Sequence, residues 1–195
     1  MQVTNEAMGK RLFAAPQVRN TIESMIQSGV LAGDIVTAWN ERLKEKDAMA
    51  SIRRKAESGD GEMQFGLACA YDQGAHGMVQ DDAKAFKWFK RAADNNHPCN
   101  HAVGYRYTIG NGVETDTRRA LMYFERGVAK GEATCCFELG TFFDKGRMGL
   151  DVDKAEARRY YTLIFVRCPN GKLNENNLEY AKKWLRDNGA DETVL

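Results

Sequence analysis

The side chains best suited to chemistry in this 195-residue chain are its five cysteines and three histidines. The tightest group is His97-Pro98-Cys99-Asn100-His101, three candidate metal ligands within five residues. A zinc site needs a fourth ligand and tetrahedral geometry. Residues 97, 99 and 101 on a helix cannot all face one point, because helical neighbours lie three or four residues apart. No metal is expected there. Adjacent Cys135 and Cys136 would point about 100° apart on a helix, so one of the two can reach a core face. Both read as structural thiols. The five cysteines, Cys69, Cys99, Cys135, Cys136 and Cys168, are odd in number and form no CxxC pair. That is the pattern of free thiols in a reducing compartment. No GxSxG, HExxH or phosphate-loop motif is present, so neither catalysis nor a cofactor is expected.

The elements that hold these residues repeat. Gly74, Gly110 and Gly146 are spaced by 36 positions, and three residues before each lies an aromatic, Tyr71, Tyr107 or Phe143. Upstream of those come Leu67-Ala68, Val103-Gly104 and Leu139-Gly140, then Gly59, Asn95 and Gly131. Downstream, Gly77, Gly112 and Gly149 precede Asp81, Asp116 and Asp153 by four residues, and Ala85, Ala120 and Ala157 follow by four more. The aromatic pairs Trp88-Phe89, Tyr123-Phe124 and Tyr160-Tyr161 close each unit. The spacing predicts helix–turn–helix units. Apolar and small residues fall on one helical face, and the glycine after the aromatic suits a left-handed helix end. Asn95 can replace glycine at such an end. The aspartates suit N-caps, and Asp153 with Glu156 fits a capping box. Small residues at 68, 104, 140, 85, 120 and 157 let paired helices approach closely. Such a unit cannot bury its apolar face alone and must stack on its neighbours.

The strings Gly110-Asn111-Gly112-Val113-Glu114-Thr115-Asp116-Thr117-Arg118-Arg119-Ala120 and Leu139-Gly140-Thr141-Phe142-Phe143-Asp144-Lys145-Gly146 resemble the Sel-1-like repeat signature. The resemblance spans roughly Ala56 to Phe165. Met63, Cys99 and Cys135 replace the usual alanine, Met78 replaces valine, and the third unit has an extra residue or two before Gly149. The resemblance implies an all-α fold, a right-handed α-α superhelix of about three tetratricopeptide-like repeats at 56–91, 92–127 and 128–166. Residues 1–55 are expected to form an amino-terminal helical cap, with helices near 17–28 and 34–58. Residues 167–195 are expected to form a carboxy-terminal capping helix, from Asn174 to Asn188, and a tail. Some bacterial members of the similar family were proposed to cleave β-lactams and pair cysteines within units. This chain reads as lacking such pairs, which leaves a hydrolase as a remote alternative.

By the same resemblance, partners bind on the concave face built by the first helix of each unit. Its open offsets are Cys69, Tyr105 and Thr141, then Asp72, Thr108 and Asp144, then Gln73, Ile109 and Lys145. Tyr105 is the best anchor, a large amphipathic ring. Phe65 and Phe137 are expected in the core, with His101 lining the groove in the same row. The expected function is a protein–protein interaction module, an adaptor or scaffold that takes a peptide or helix of another protein. The alternative is a structural subunit that oligomerises through its amino-terminal helices. The 28 basic and 27 acidic residues are interspersed, giving a formal charge of +1. No concentrated basic face points to nucleic acid. No run is long and apolar enough for a membrane span, and residues 1–13 lack a secretory pattern, so a cytoplasmic location is expected.

Overall fold

The computed structural model describes residues 16–168 and 172–190, which form nine α-helices and no strand among the described residues. The chain divides into two compact units at Ala50/Ser51. In the first, α1 (Pro16–Gln27) begins with its proline, where a missing N–H costs nothing. Gly29 and Gly33 turn the chain at positive φ before α2 (Asp34–Glu57), on which Trp39 is buried.

The second unit starts within α2 and contains three helix pairs. These are α3 (Gly61–Gln73) with α4 (Asp82–Asp94), α5 (Asn100–Ile109) with α6 (Thr117–Ala129), and α7 (Ala133–Lys145) with α8 (Lys154–Val166). Contacts are densest within each pair, α4 then packs on α5 and α6 on α7, and α9 (Glu175–Asp187) packs on α8. This is a helical repeat solenoid, in which each pair is stable because its neighbour covers it.

The corners show why these sequences repeat. Gly74, Gly110 and Gly146 end the first helices at φ 64°, 75° and 61°, a conformation cheap only for glycine. The side chains of Asp81, Asp116 and Asp153 accept from the N–H groups of Lys84, Arg119 and Glu156. The backbone N–H of each aspartate also donates to the carbonyl of the aromatic on the preceding helix, Tyr71, Tyr107 or Phe143, at 2.9–3.0 Å. That thrice-repeated bond fixes the angle between paired helices. It also corrects the expected capping box. The Asp153 N–H is taken by Phe143, and Glu156 pairs with Arg159 instead. A second correction concerns Asn95, which has φ −90°, while its neighbour Asn96 carries the left-handed turn at φ 65°.

Packing within the pairs depends on the small residues. A Cβ placed on Gly140 would lie 2.7–3.0 Å from the Tyr161 ring, and one on Gly104 would lie 3.0 Å from Phe124. The rings these glycines admit are fully buried, each contributing about 2 kcal/mol by burial. Between pairs, Phe124 meets Phe142 edge-on at 5.3 Å and Phe65 meets Phe89 within the first pair at 5.6 Å.

A polar tie recurs at one repeat position, 64, 100 and 136. Gln64 donates to the Ala56 carbonyl and accepts from Asn95, both at 2.8 Å. Asn100, fully buried, donates to Glu132 at 2.5 Å. Each tie joins the start of a first helix to the exit of its own second helix.

Candidate functional site

The first helices α3, α5 and α7 present the row that sequence spacing selected. Tyr105, on α5, is 47% exposed and lies beside the His101 ring at 6.1 Å. His101 is half-buried, with Nε2 3.8 Å from Glu138 Oε1. Ile109, one turn beyond Tyr105, is 50% exposed. On α3, Cys69 is half-buried, and burial, aided by Asp72, raises its thiol. Thr108 is half-buried and donates to the Gly104 carbonyl. Gln73 and Lys145 are exposed, and the Lys145 ammonium lies 5.4 Å from the centre of the Tyr180 ring. Phe65 and Phe137 are half-buried rather than enclosed, each with one side on the core.

Three of the expected open positions are committed to the fold. Thr141 is 7% exposed and its hydroxyl is shared between the Phe137 carbonyl and Tyr161. Asp144 is buried under α9, where it accepts from Lys154 at 2.5 Å and from Trp184 Nε1 at 2.8 Å. Tyr180 completes this set at 3.4 Å. The physical reason is that α9 occupies the place of a further first helix and closes over the last pair. Asp72 keeps partial exposure but pairs with Arg106 at 2.5 Å, and that guanidinium is nearly buried over the Phe89 ring. Two groups of this face escaped the sequence reading, Glu138 and Tyr180. Tyr180 follows Asp144 by one more step of 36 residues, a signal the sequence carried past the last full unit.

The thiols behave differently from one another. Both Cys135 and Cys136 are fully buried, against the expectation that one would be. The helix α7 is enclosed on both flanks, so residues 100° apart each meet a neighbour. The Cys135 thiol faces Glu132 at 3.5 Å. Cys136 meets Cys168, which follows the third unit, with 3.9 Å between sulfurs. Burial, then Cys168, pushes Cys136 up to about 12, and burial, then Glu132, pushes Cys99 up to about 12. Such thiols are poor nucleophiles.

The histidine cluster also comes apart. His97 stacks on Phe65 at 4.3 Å with Nε2 3.2 Å from Glu62, the Cys99 thiol donates to the Phe89 carbonyl, and His101 turns toward Tyr105. The three ligand candidates therefore point to different neighbours. Beside them lies an open cavity of about 980 Å³, lined by Phe65, His97, His101, Lys130, Arg167 and Lys172 among others. Glu132 on its wall is occupied, accepting from the N–H groups of Asn100 and His101.

Paired helices with these corners match the Sel1 repeat profile over residues 61–97, 98–132 and 133–163. The chain belongs to the Sel1 repeat family. Sel1 repeats are protein-interaction modules. Among solved structures, a Sel1 repeat protein from Oxalobacter formigenes is 27% identical, with a TM-score of 0.57 over 70% of this chain and 98% of that one. A protective antigen of uropathogenic Escherichia coli with the same repeat fold is 33% identical, with a TM-score of 0.55 over 59% of this chain and 24% of that one. Chitin synthase regulator SKT5 of Saccharomyces cerevisiae is 25% identical over 70% of this chain and 20% of its own length. The Arabidopsis thaliana HRD3A, an ERAD-associated E3 ubiquitin-protein ligase component, is 32% identical over 55% of this chain and 16% of its own. The Sel1 chain described here thus spans about a fifth or less of these curated relatives. No helix among the described residues is long and apolar enough to cross a membrane.

Proposed function

We propose that this Sel1 repeat chain is a non-enzymatic adaptor that holds a peptide or helix of a partner protein along the first-helix face. The observation that carries this reading is Tyr105, a large ring left 47% exposed at the middle of the row. Ile109 stands exposed one turn on, and the half-buried Phe65, His101 and Phe137 flank it in the neighbouring row. A rigid amphipathic ring supported by a stacked imidazole is the kind of group that anchors an interface. The partner face consists of Tyr105, His101, Cys69, Thr108 and Lys145, with Glu138 and Tyr180 added. Asp72 is excluded as a probe, because Asp72→Lys would leave the buried Arg106 without its counter-ion. Five unbridged thiols fit a reducing, cytoplasmic setting.

Affinity capture of the tagged protein from its native cell, followed by mass spectrometry, supplies the partner. Tyr105→Ala should then weaken that complex by tenfold or more, about 1.4 kcal/mol or above, with circular dichroism unchanged. Unaltered affinity would reject the face.

A second reading, assembly through the amino-terminal helices, is favoured by a separate observation. No described residue of α1 is fully buried, and Val30 and Ile35 are 66% and 60% exposed. Removing residues 1–33 should then lower the mass measured by light scattering, whereas Tyr105→Ala should not.

A further inference from the structure

The polar tie at positions 64, 100 and 136 changes chemistry in its last member. In the first two pairs it is a hydrogen bond with the exit of the second helix: Gln64 accepts from Asn95, and Asn100 donates to Glu132. In the third pair the places of Asn100 and Glu132, 36 residues on, hold Cys136 and Cys168, whose sulfurs are 3.9 Å apart. Cys99 and Cys135 spend their S–H groups on the Phe89 carbonyl and on Glu132. We propose that Cys136 and Cys168 are an oxidisable pair that closes to a disulfide and staples the third repeat, with glutathione disulfide as the oxidant.

The two thiols are not equivalent. Cys136 is fully buried, whereas Cys168 is 5% exposed and lines the cavity of about 980 Å³. The oxidant therefore enters at Cys168. Lys130, Arg167 and Lys172 line the same cavity. Of its two acids, Glu132 is capped by backbone N–H groups and Glu62 faces His97. The remaining positive charge favours a tripeptide disulfide that carries several carboxylates.

The exchange proceeds in two balanced steps. The Cys168 thiolate attacks one sulfur of glutathione disulfide, the S–S bond breaks, and glutathione leaves as a thiolate that takes up the Cys168 proton. Cys136 then attacks the Cys168 sulfur of the mixed disulfide, a step that its raised thiol slows and that the 3.9 Å contact makes intramolecular. The second glutathione leaves, taking the Cys136 proton. Two protein thiols are oxidised to one disulfide while one glutathione disulfide is reduced to two glutathiones. Closing the bond brings the sulfurs to about 2.05 Å, an approach of about 2 Å from contact that rotation about the two Cα–Cβ bonds can supply in large part. The bridge would lock the first turn of α7, next to Phe137 and Glu138 of the proposed binding face, to the segment leading into α9.

The test treats the folded full chain with glutathione disulfide at neutral pH, followed by peptide mapping and thermal melting. The expected result is a Cys136–Cys168 bridge, reversed by dithiothreitol, with a melting temperature several degrees above that of the reduced chain. Cys136→Ser should stop the reaction at one glutathione on Cys168, and Cys168→Ser should leave Cys136 unmodified. Should serine in that buried place disturb the circular dichroism spectrum, Cys136→Ala gives the same readout. Glutathione found only on the more exposed Cys69, or on Cys136 in the Cys168→Ser chain, would overturn the proposal. So would retention of both thiols in the treated wild type.

Discussion

At Gly112 the backbone turns at φ 71°, and an added Cβ would sit 2.0 Å from the Asp82 carbonyl oxygen. That neighbour is main chain and cannot swing aside. Gly112→Ala should therefore cost at least about 2 kcal/mol. Gly66, on the exposed side of α3, has nothing within 4 Å of a built Cβ. Gly66→Ala should be neutral or stabilise by up to about 1 kcal/mol. Urea melts of the two variants check the order, and equal losses would contradict it. The spacing in sequence marked Gly112 as a corner, but the carbonyl it must avoid belongs to the preceding pair. The same applies to Arg106. Its position in the pattern is ordinary, and only the packed structure shows it clamped between Asp72 and Phe89.

Besides its apolar contacts, helix α9 is tied to the last pair through one carboxylate. Asp144 receives Lys154, Trp184 and Tyr180. Burial works to raise its pKa, but the hydrogen bonds from these groups outweigh it and the net shift is downward. A depressed carboxylate contributes stability that is complete above its unfolded value, near 4, and is lost as the pH falls below that through the folded value. Acid should thus release α9 first, seen as a change in Trp184 fluorescence below about pH 4. Asp144→Ala should remove that step and cost about 2–3 kcal/mol, since it strands the buried indole N–H. Hydrogen exchange over residues 175–187 reports the loss directly; unchanged protection there would show that the apolar contacts of Ala181 and Leu185 suffice. The caps at Asp81, Asp116 and Asp153 were legible as residue types. Their second bond, to the aromatic carbonyl of the preceding helix, was not, because it depends on the angle at which the pair closes.

Across the second unit, cohesion passes from pair to pair, so its ends matter more than its middle. Truncation after residue 171 would uncover Tyr161, which packs 5.0 Å from Trp184, together with Asp144. The third repeat should then lose hydrogen-exchange protection well before the first. Uniform loss along the array would mean that the pairs act as one cooperative block. The open Tyr105 and Ile109 lie on α5, the first helix of the central pair, away from either end. The share of the affinity that Tyr105 and Ile109 supply should accordingly survive fraying of α9, whereas the share from Tyr180 should not.

Taken alone, the amino-acid order determined the class of fold, the three units and their corners. Left-handed turns, N-caps and close helix contacts each demand particular residue types, and those demands recur every 36 positions or so. It did not determine which side chains on the first helices stay in solvent. Thr141 and Asp144 occupy the same offsets as Tyr105 and Thr108, yet Thr141 is spent on Tyr161 and Asp144 is covered by α9, which also reaches Lys145. Nor could it pair Cys136 with Cys168, which lie 32 residues apart and meet only when α7 and α8 close upon each other. Exposure and contact are properties of neighbours, and neighbours are supplied by the packed array.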